Sequence, residues 1–190
     1  MYKLFLISFL VLSVFAHSQK MNKYDSTLKI GKAGFRVTCT NRNIERNVLS
    51  IKPIGFSNEA REVSLELKGR VMTAEIDDLN QDNFPDMIIF VIEATGKKTL
   101  FCISSRNNES LQPIYFPDIT NDMALSKGYR GLDEYELLQG VLFRQFPIFD
   151  ADTTIKIPTK RARRIMYKVE TGDRGMLNFK AFKNFEYNLD

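Results

Sequence analysis

Along most of this chain, apolar and polar residues alternate with a period of two. That pattern confines it to strands with one buried and one wet face. Phe35, Val37 and Cys39 alternate with Arg36, Thr38 and Thr40. Val63, Leu65 and Leu67 alternate with Glu62, Ser64, Glu66 and Lys68. Ile165, Tyr167 and Val169 alternate with Arg164, Lys168 and Glu170. The run MIIFVI, residues 87–92, does not alternate and reads as a central strand covered on both faces. Turn-forming clusters separate these runs: NRNIERN, TGKK, SRNNES and TGDRG. Helical spacing is weak throughout. A single short helix is expected between Ile119 and Leu125, starting near Thr120 or Asn121. With no internal repeat and no linker, the expectation is an all-β fold: one antiparallel β-sandwich domain with at most one short helix.

The N-terminus sets the compartment. MYKLFLISFLVLSVFAHSQ has a cationic start at Lys3, an apolar run from Leu4 to Ala16, and small residues Ala16 and Ser18 ahead of Gln19. Residues 1–18 therefore read as a secretory signal peptide. The apolar run is too short to span a bilayer, and no cysteine follows it to mark a lipoprotein. Residues 19–32 read as a loosely attached leader and 33–190 as the domain, in a periplasmic or secreted protein not inserted in the membrane. Loss of Lys3 takes the formal net charge from +4 to +3, a mild excess that does not suggest a nucleic-acid partner.

Histidine excludes more than any other residue. The only one is His17, inside the signal peptide, so the mature chain has no histidine base for a hydrolase and no usual zinc site. Carboxylate, lysine or tyrosine chemistry is left, and a non-enzymatic protein is the expectation. The two cysteines, Cys39 and Cys102, fit either a disulfide in an oxidising compartment or two buried thiols on separate strands.

Three polar stretches stand out. DDLNQDNFPD, residues 77–86, carries Asp78, Asn80, Asp82 and Asp86 at positions one, three, five and nine of a loop between two strands. Hard cations take oxygen ligands from alternate loop positions, so the four are candidate calcium ligands. The loop is not an EF-hand, because Ile89 replaces the twelfth-position Glu and Asn83 the turn glycine. It resembles the strand-loop-strand calcium loops of integrin-type propeller repeats. The competing reading is an Asx-rich turn whose side chains accept backbone N–H bonds. Next, Asp133, Glu134 and Glu136 lie close together. Asp133 with Glu136 could form a glycosidase-type carboxylate pair, but a turn and the wet face of a strand explain them more simply. Last, KRARR, residues 160–164, reads as a solvated strand entrance with anion binding as the alternative.

Taken in order, DLNQDNFPD, PIYFPDI, GYRGLDEYELLQGVLFRQFPIF and PTKRARRIMYKVETGD resemble the periplasmic inhibitors of invertebrate-type lysozyme. That family carries a DLNGDGxPE loop, a PxYFPP segment, a GYxGHDEF turn followed by GxLxRxFPxY, and a PTGGxRxxxY segment. The resemblance covers about residues 33 to 187 and is most specific over residues 128–149. It implies a periplasmic, non-catalytic β-sandwich, in some members a homodimer. A protruding hairpin with an SGxxY-like motif enters the partner's cleft and hydrogen-bonds its catalytic carboxylates. The corresponding hairpin here reads ATGKKTLFC, residues 94–102. Thr95 and Gly96 stand where the family has Ser-Gly, Lys97 and Lys98 follow, and no tyrosine does. Leu132 replaces the histidine of GHDEF, and Lys160 and Arg161 replace the two glycines after PT. The expected protein-binding residues are thus Thr95, Gly96, Lys97 and Lys98, and the expected partner is a protein, with a lysozyme as the candidate. The alternative is a calcium-stabilised cell-envelope module that binds glycan or a surface protein.

Overall fold

The computed structural model describes residues 23–57, 60–152, 154 and 157–189, so the expected signal peptide lies outside the described residues. Among the described residues, twelve strands run in order: β1 Tyr24–Ile30, β2 Ala33–Cys39, β3 Asn47–Ile54, β4 Val63–Leu67, β5 Arg70–Asp77, β6 Asp86–Ile92, β7 Lys98–Arg106, β8 Ser110–Tyr115, β9 Glu134–Leu138, β10 Val141–Pro147, β11 Arg161–Thr171 and β12 Leu177–Asn188. The first four form one sheet in sequence order. The other eight form a second sheet, in the order β5-β6-β7-β8-β12-β11-β10-β9.

The fold is all-β with two sheets, as expected, but it is not a simple open sandwich. The larger sheet curls until it is nearly a closed barrel, which limits the exposed edges that an open sheet leaves. Its two edge strands approach through side chains: the backbone N–H of Gly140, just after β9, donates to Asp77 Oδ2 at the end of β5, at 2.7 Å. The expectation of purely antiparallel pairing is also corrected. β8 and β12 run parallel and pair only at Leu177 with Ile114 and at Asn178 with Tyr115.

Part of the expected leader forms a strand. Tyr24–Ile30 pairs with β2 along its whole length, Tyr24 opposite Cys39 and Ile30 opposite Ala33. The segment is short on large apolar residues, so its half-buried alternation is faint in the sequence. The short helix reduces to a 3₁₀ turn at Ile119–Asn121, capped by Asp118, whose carboxylate accepts the Thr120 N–H at 2.9 Å. A second 3₁₀ turn occupies Asp173–Gly175.

β6 explains the non-alternating run. Met87, Ile89 and Val91 face Phe35, Val37, Leu49 and Ile51 of the smaller sheet. Ile88 and Phe90 face the barrel interior with Leu142, Phe146, Ile165 and Tyr167. The strand therefore serves two cores, and each of its buried side chains contributes about 1.5–3 kcal/mol. One polar contact and one glycine turn join the sheets. The Asn41 amide pairs with the backbone of Val71 in both directions, each bond 2.9 Å, acting as an extra strand residue at the foot of β5. Gly69 turns the chain from β4 into β5 at φ +109°, where a Cβ would lie 2.7 Å from the Ile92 carbonyl oxygen.

Candidate functional site: the 94–98 hairpin and the cavity beside it

A tight turn links β6 to β7. The Gly96 N–H donates to the Glu93 carbonyl and the Glu93 N–H to the Lys97 carbonyl, each at 2.9 Å. Gly96, at φ +81°, takes the left-handed position that such a three-residue hairpin loop requires. The Lys97 N–H donates to Thr95 Oγ1 at 3.3 Å, so the Thr95 hydroxyl helps to build the turn. Thr95, Gly96 and Lys97 are exposed. Lys98 is not equivalent to them, because it begins β7 and its ammonium pairs with Glu134 at the start of β9. This ion pair ties the hairpin stem across the barrel mouth. Of the four residues expected to meet a partner, the structure presents three and spends the fourth on internal contact.

Beside the hairpin the barrel interior is hollow. A cavity of about 1310 Å³ is bounded by the hairpin, by Leu100 of β7, Ile114 of β8, Phe116, Tyr135 and Leu177, among others. These five side chains belong to, or pack against, the barrel core. The hollow is therefore the unfilled end of that core, and it lies where β8 and β12 are joined by only two residue pairs.

The cavity floor holds a buried polar network. Arg144 on β10 donates through Nε to Asp133 Oδ1 at 2.7 Å and through Nη2 to Asp133 Oδ2 at 3.1 Å. Arg144 Nη2 also donates to the Tyr129 hydroxyl at 2.9 Å, and that hydroxyl donates to Asp133 Oδ2 at 2.6 Å. The guanidinium lies 5.0 Å from the Tyr129 ring centroid and 5.8 Å from those of Phe116 and Tyr135. Burial works against the arginine charge, but the Asp133 hydrogen bonds and charge outweigh it and keep the guanidinium firmly protonated. Burial, reinforced by Asp133, pushes the Tyr129 phenol up to about 12. Burial also raises the Tyr135 phenol.

This network was not expected from the sequence, although β10 carries a signal for it. Leu142, Arg144 and Phe146 share the inward face, so the alternation points an arginine into the core and calls for a buried acid to meet it. Asp133, expected in a turn, is that acid. Glu136 lies on the opposite face of β9 and pairs with Arg164, so Asp133 and Glu136 do not converge as a carboxylate pair. The basic run at 160–164 is also occupied. Arg161 and Arg163 meet Glu186, Arg163 donates to the Ala124 carbonyl, and Arg164 stacks on Phe143 at 4.4 Å.

In the 77–86 loop the candidate calcium ligands turn onto the loop's own amides. Asp78 accepts the N–H groups of Asp82 and Asn83, at 3.0 and 2.9 Å. The Asn80 carbonyl accepts the Asp82 N–H, and its NH₂ donates to Asp82 Oδ2 at 2.9 Å. Asp86 is fully buried and accepts the N–H groups of Leu79, Asn80 and Ser105. A nitrogen donor thus occupies a carboxylate oxygen that a cation would need, and this arrangement fits a calcium ion poorly. Among the described residues, no group of three or more His, Cys, Asp and Glu side chains is placed to hold a metal. Cys39 and Cys102 are both buried free thiols, one in each core cluster.

No protein-family model matches the chain, and no curated protein is significantly similar to it in sequence. Among the described residues, no helix is long and apolar enough to cross a membrane.

Proposed function

We propose that this is an exported, non-enzymatic protein that binds a protein partner through the 94–98 hairpin, in the manner of the lysozyme inhibitors it resembles. One observation carries the reading: the turn is exposed from Ala94 to Lys97, closed by two backbone hydrogen bonds, and held at its stem by the ion pair of Lys98 with Glu134. A preorganised loop loses little freedom on docking. Lys97 is the charge it presents, and the two catalytic carboxylates of a lysozyme cleft are a complementary target. The Thr95 hydroxyl and the Gly96 backbone would lie closest to the partner. Lys98 supports the loop from behind.

The test is to mix the mature protein with invertebrate-, chicken- and goose-type lysozymes and to follow cell-wall lysis, with binding measured alongside. Inhibition of the invertebrate type alone is the expected result. No inhibition and no binding for any of the three would refute the reading.

A further inference from the structure

We propose that the cavity beside the hairpin binds an uncharged lipophile with a single hydrogen-bond acceptor, of the long-chain ketone or ester type. The proposal is independent of the hairpin's protein partner. At about 1310 Å³ the hollow exceeds the ~300–1,000 Å³ usual for small-molecule sites, and barrel mouths are a common place for such sites. Its walls are continuous with the apolar core through Leu100, Phe116 and Leu177. The rim is apolar as well: Tyr115, Leu132 and Met176 border the cavity and are 58%, 64% and 57% exposed. Large apolar side chains gathered at one opening mark a surface that a ligand covers.

The charges around the cavity decide the charge of the ligand, because each of them is already engaged. On the floor, Asp133 neutralises Arg144. At the rim, Lys98 pairs with Glu134, and Lys97 lies within electrostatic reach of Asp118. Arg130 donates to the Asp150 and Asp152 carbonyls and stacks on the Phe149 ring. A carboxylate or an ammonium would leave water here and meet no unanswered counter-charge, so an ionised head group is disfavoured. One polar group is left for a ligand. Tyr135 lines the cavity, and its hydroxyl has no hydrogen-bond partner among the described residues. That oxygen is not sealed inside the protein, so the hydroxyl can donate to one carbonyl oxygen of a ligand. An apolar body with one acceptor is the complement of this surface.

The experiment uses N-phenyl-1-naphthylamine, an uncharged fluorescent lipophile without an acceptor oxygen, as the probe on the purified mature protein. Saturable one-to-one binding is expected. 2-Heptanone, 2-nonanone and 2-undecanone should displace the probe. Their affinity should tighten on the order of tenfold for each two-carbon extension, since each buried methylene is worth roughly a fourfold gain. 2-Undecanone should compete at least tenfold better than decanoate or decyltrimethylammonium, both held below their micelle concentrations. Tyr135→Phe removes only the unpartnered hydroxyl and should fold as the native protein does. It should weaken 2-undecanone several-fold and leave the affinity for the probe unchanged. Leu100→Glu, checked for native circular dichroism, should weaken probe and ketone at least tenfold. Tyr135→Phe and the head-group series decide the matter if Leu100→Glu does not fold. Absence of saturable probe binding, or a charged head group that matches the ketone, would overturn the proposal. So would Tyr135→Phe if it left the ketone unchanged or weakened the probe equally.

Discussion

Arg144 and Asp133 form a bidentate ion pair inside the barrel, with their side chains only 5% and 1% exposed. Removing one partner strands the other charge in an apolar setting, so Asp133→Ala is expected to cost about 3–5 kcal/mol in urea unfolding. Replacing both, as Asp133→Leu with Arg144→Met, should cost clearly less than the two single losses added together. A double change that is simply additive would show that the pair is not coupled.

Asp86 predicts a pH dependence that runs opposite to the usual acid unfolding. Burial pushes its carboxyl up to about 7, with the Ser104 hydroxyl and the loop N–H groups opposing without cancelling the effect. Its value in the unfolded chain is about 3.9. The folded state thus binds this proton more tightly, and the contribution is fully present below about pH 4. It is lost as pH rises through about 7, by up to roughly 4 kcal/mol. Stability measured across that window should fall with pH in the native protein. In Asp86→Asn this component should be absent.

Calcium should leave the melting temperature unchanged. A ligand that binds only the native state raises it by mass action, but the oxygens of Asp78, Asn80 and Asp82 are engaged by the loop's own N–H groups. A rise of several degrees in millimolar calcium would show that the loop rearranges into a cage. It would revive the reading of a calcium-stabilised envelope module.

The cysteines should titrate as two thiols that are silent in the native protein and reactive in denaturant. Cys39 packs with Phe35, Leu49 and Met87, and Cys102 with Ile88, Leu142 and Tyr167, in clusters on opposite faces of the larger sheet. Burial pushes the Cys102 thiol up, which suppresses its thiolate further. Recovery of fewer than two thiols per chain after denaturation without reductant would contradict this arrangement.

The strands were legible where one face is strongly apolar, as in β2 and β11. The double coverage of β6 was legible because its polar positions are missing altogether. Barrel closure was not, since period two sets a face but not the curvature that brings Gly140 to Asp77. β1 was missed because Tyr24, Ser26 and Leu28 bury only partially against β2, which leaves a weak contrast between its faces. At the candidate site the turn residues were readable from TGKK. The role of Lys98 was not, because Glu134 is 36 residues away and only the fold brings the two together. Arg144 was readable in principle from the inward register of β10. Its partner Asp133 was hidden by two acidic neighbours, Glu134 and Glu136, that face solvent.

On the proposed function, the exposed turn at Thr95, Gly96 and Lys97 is the surface that meets a partner. The most direct measurement is a titration of invertebrate-type lysozyme activity with the native protein and with Lys97→Glu. One-to-one inhibition by the native protein and at least tenfold weaker inhibition by the variant are expected. Equal inhibition by both, or none by the native protein, would contradict it.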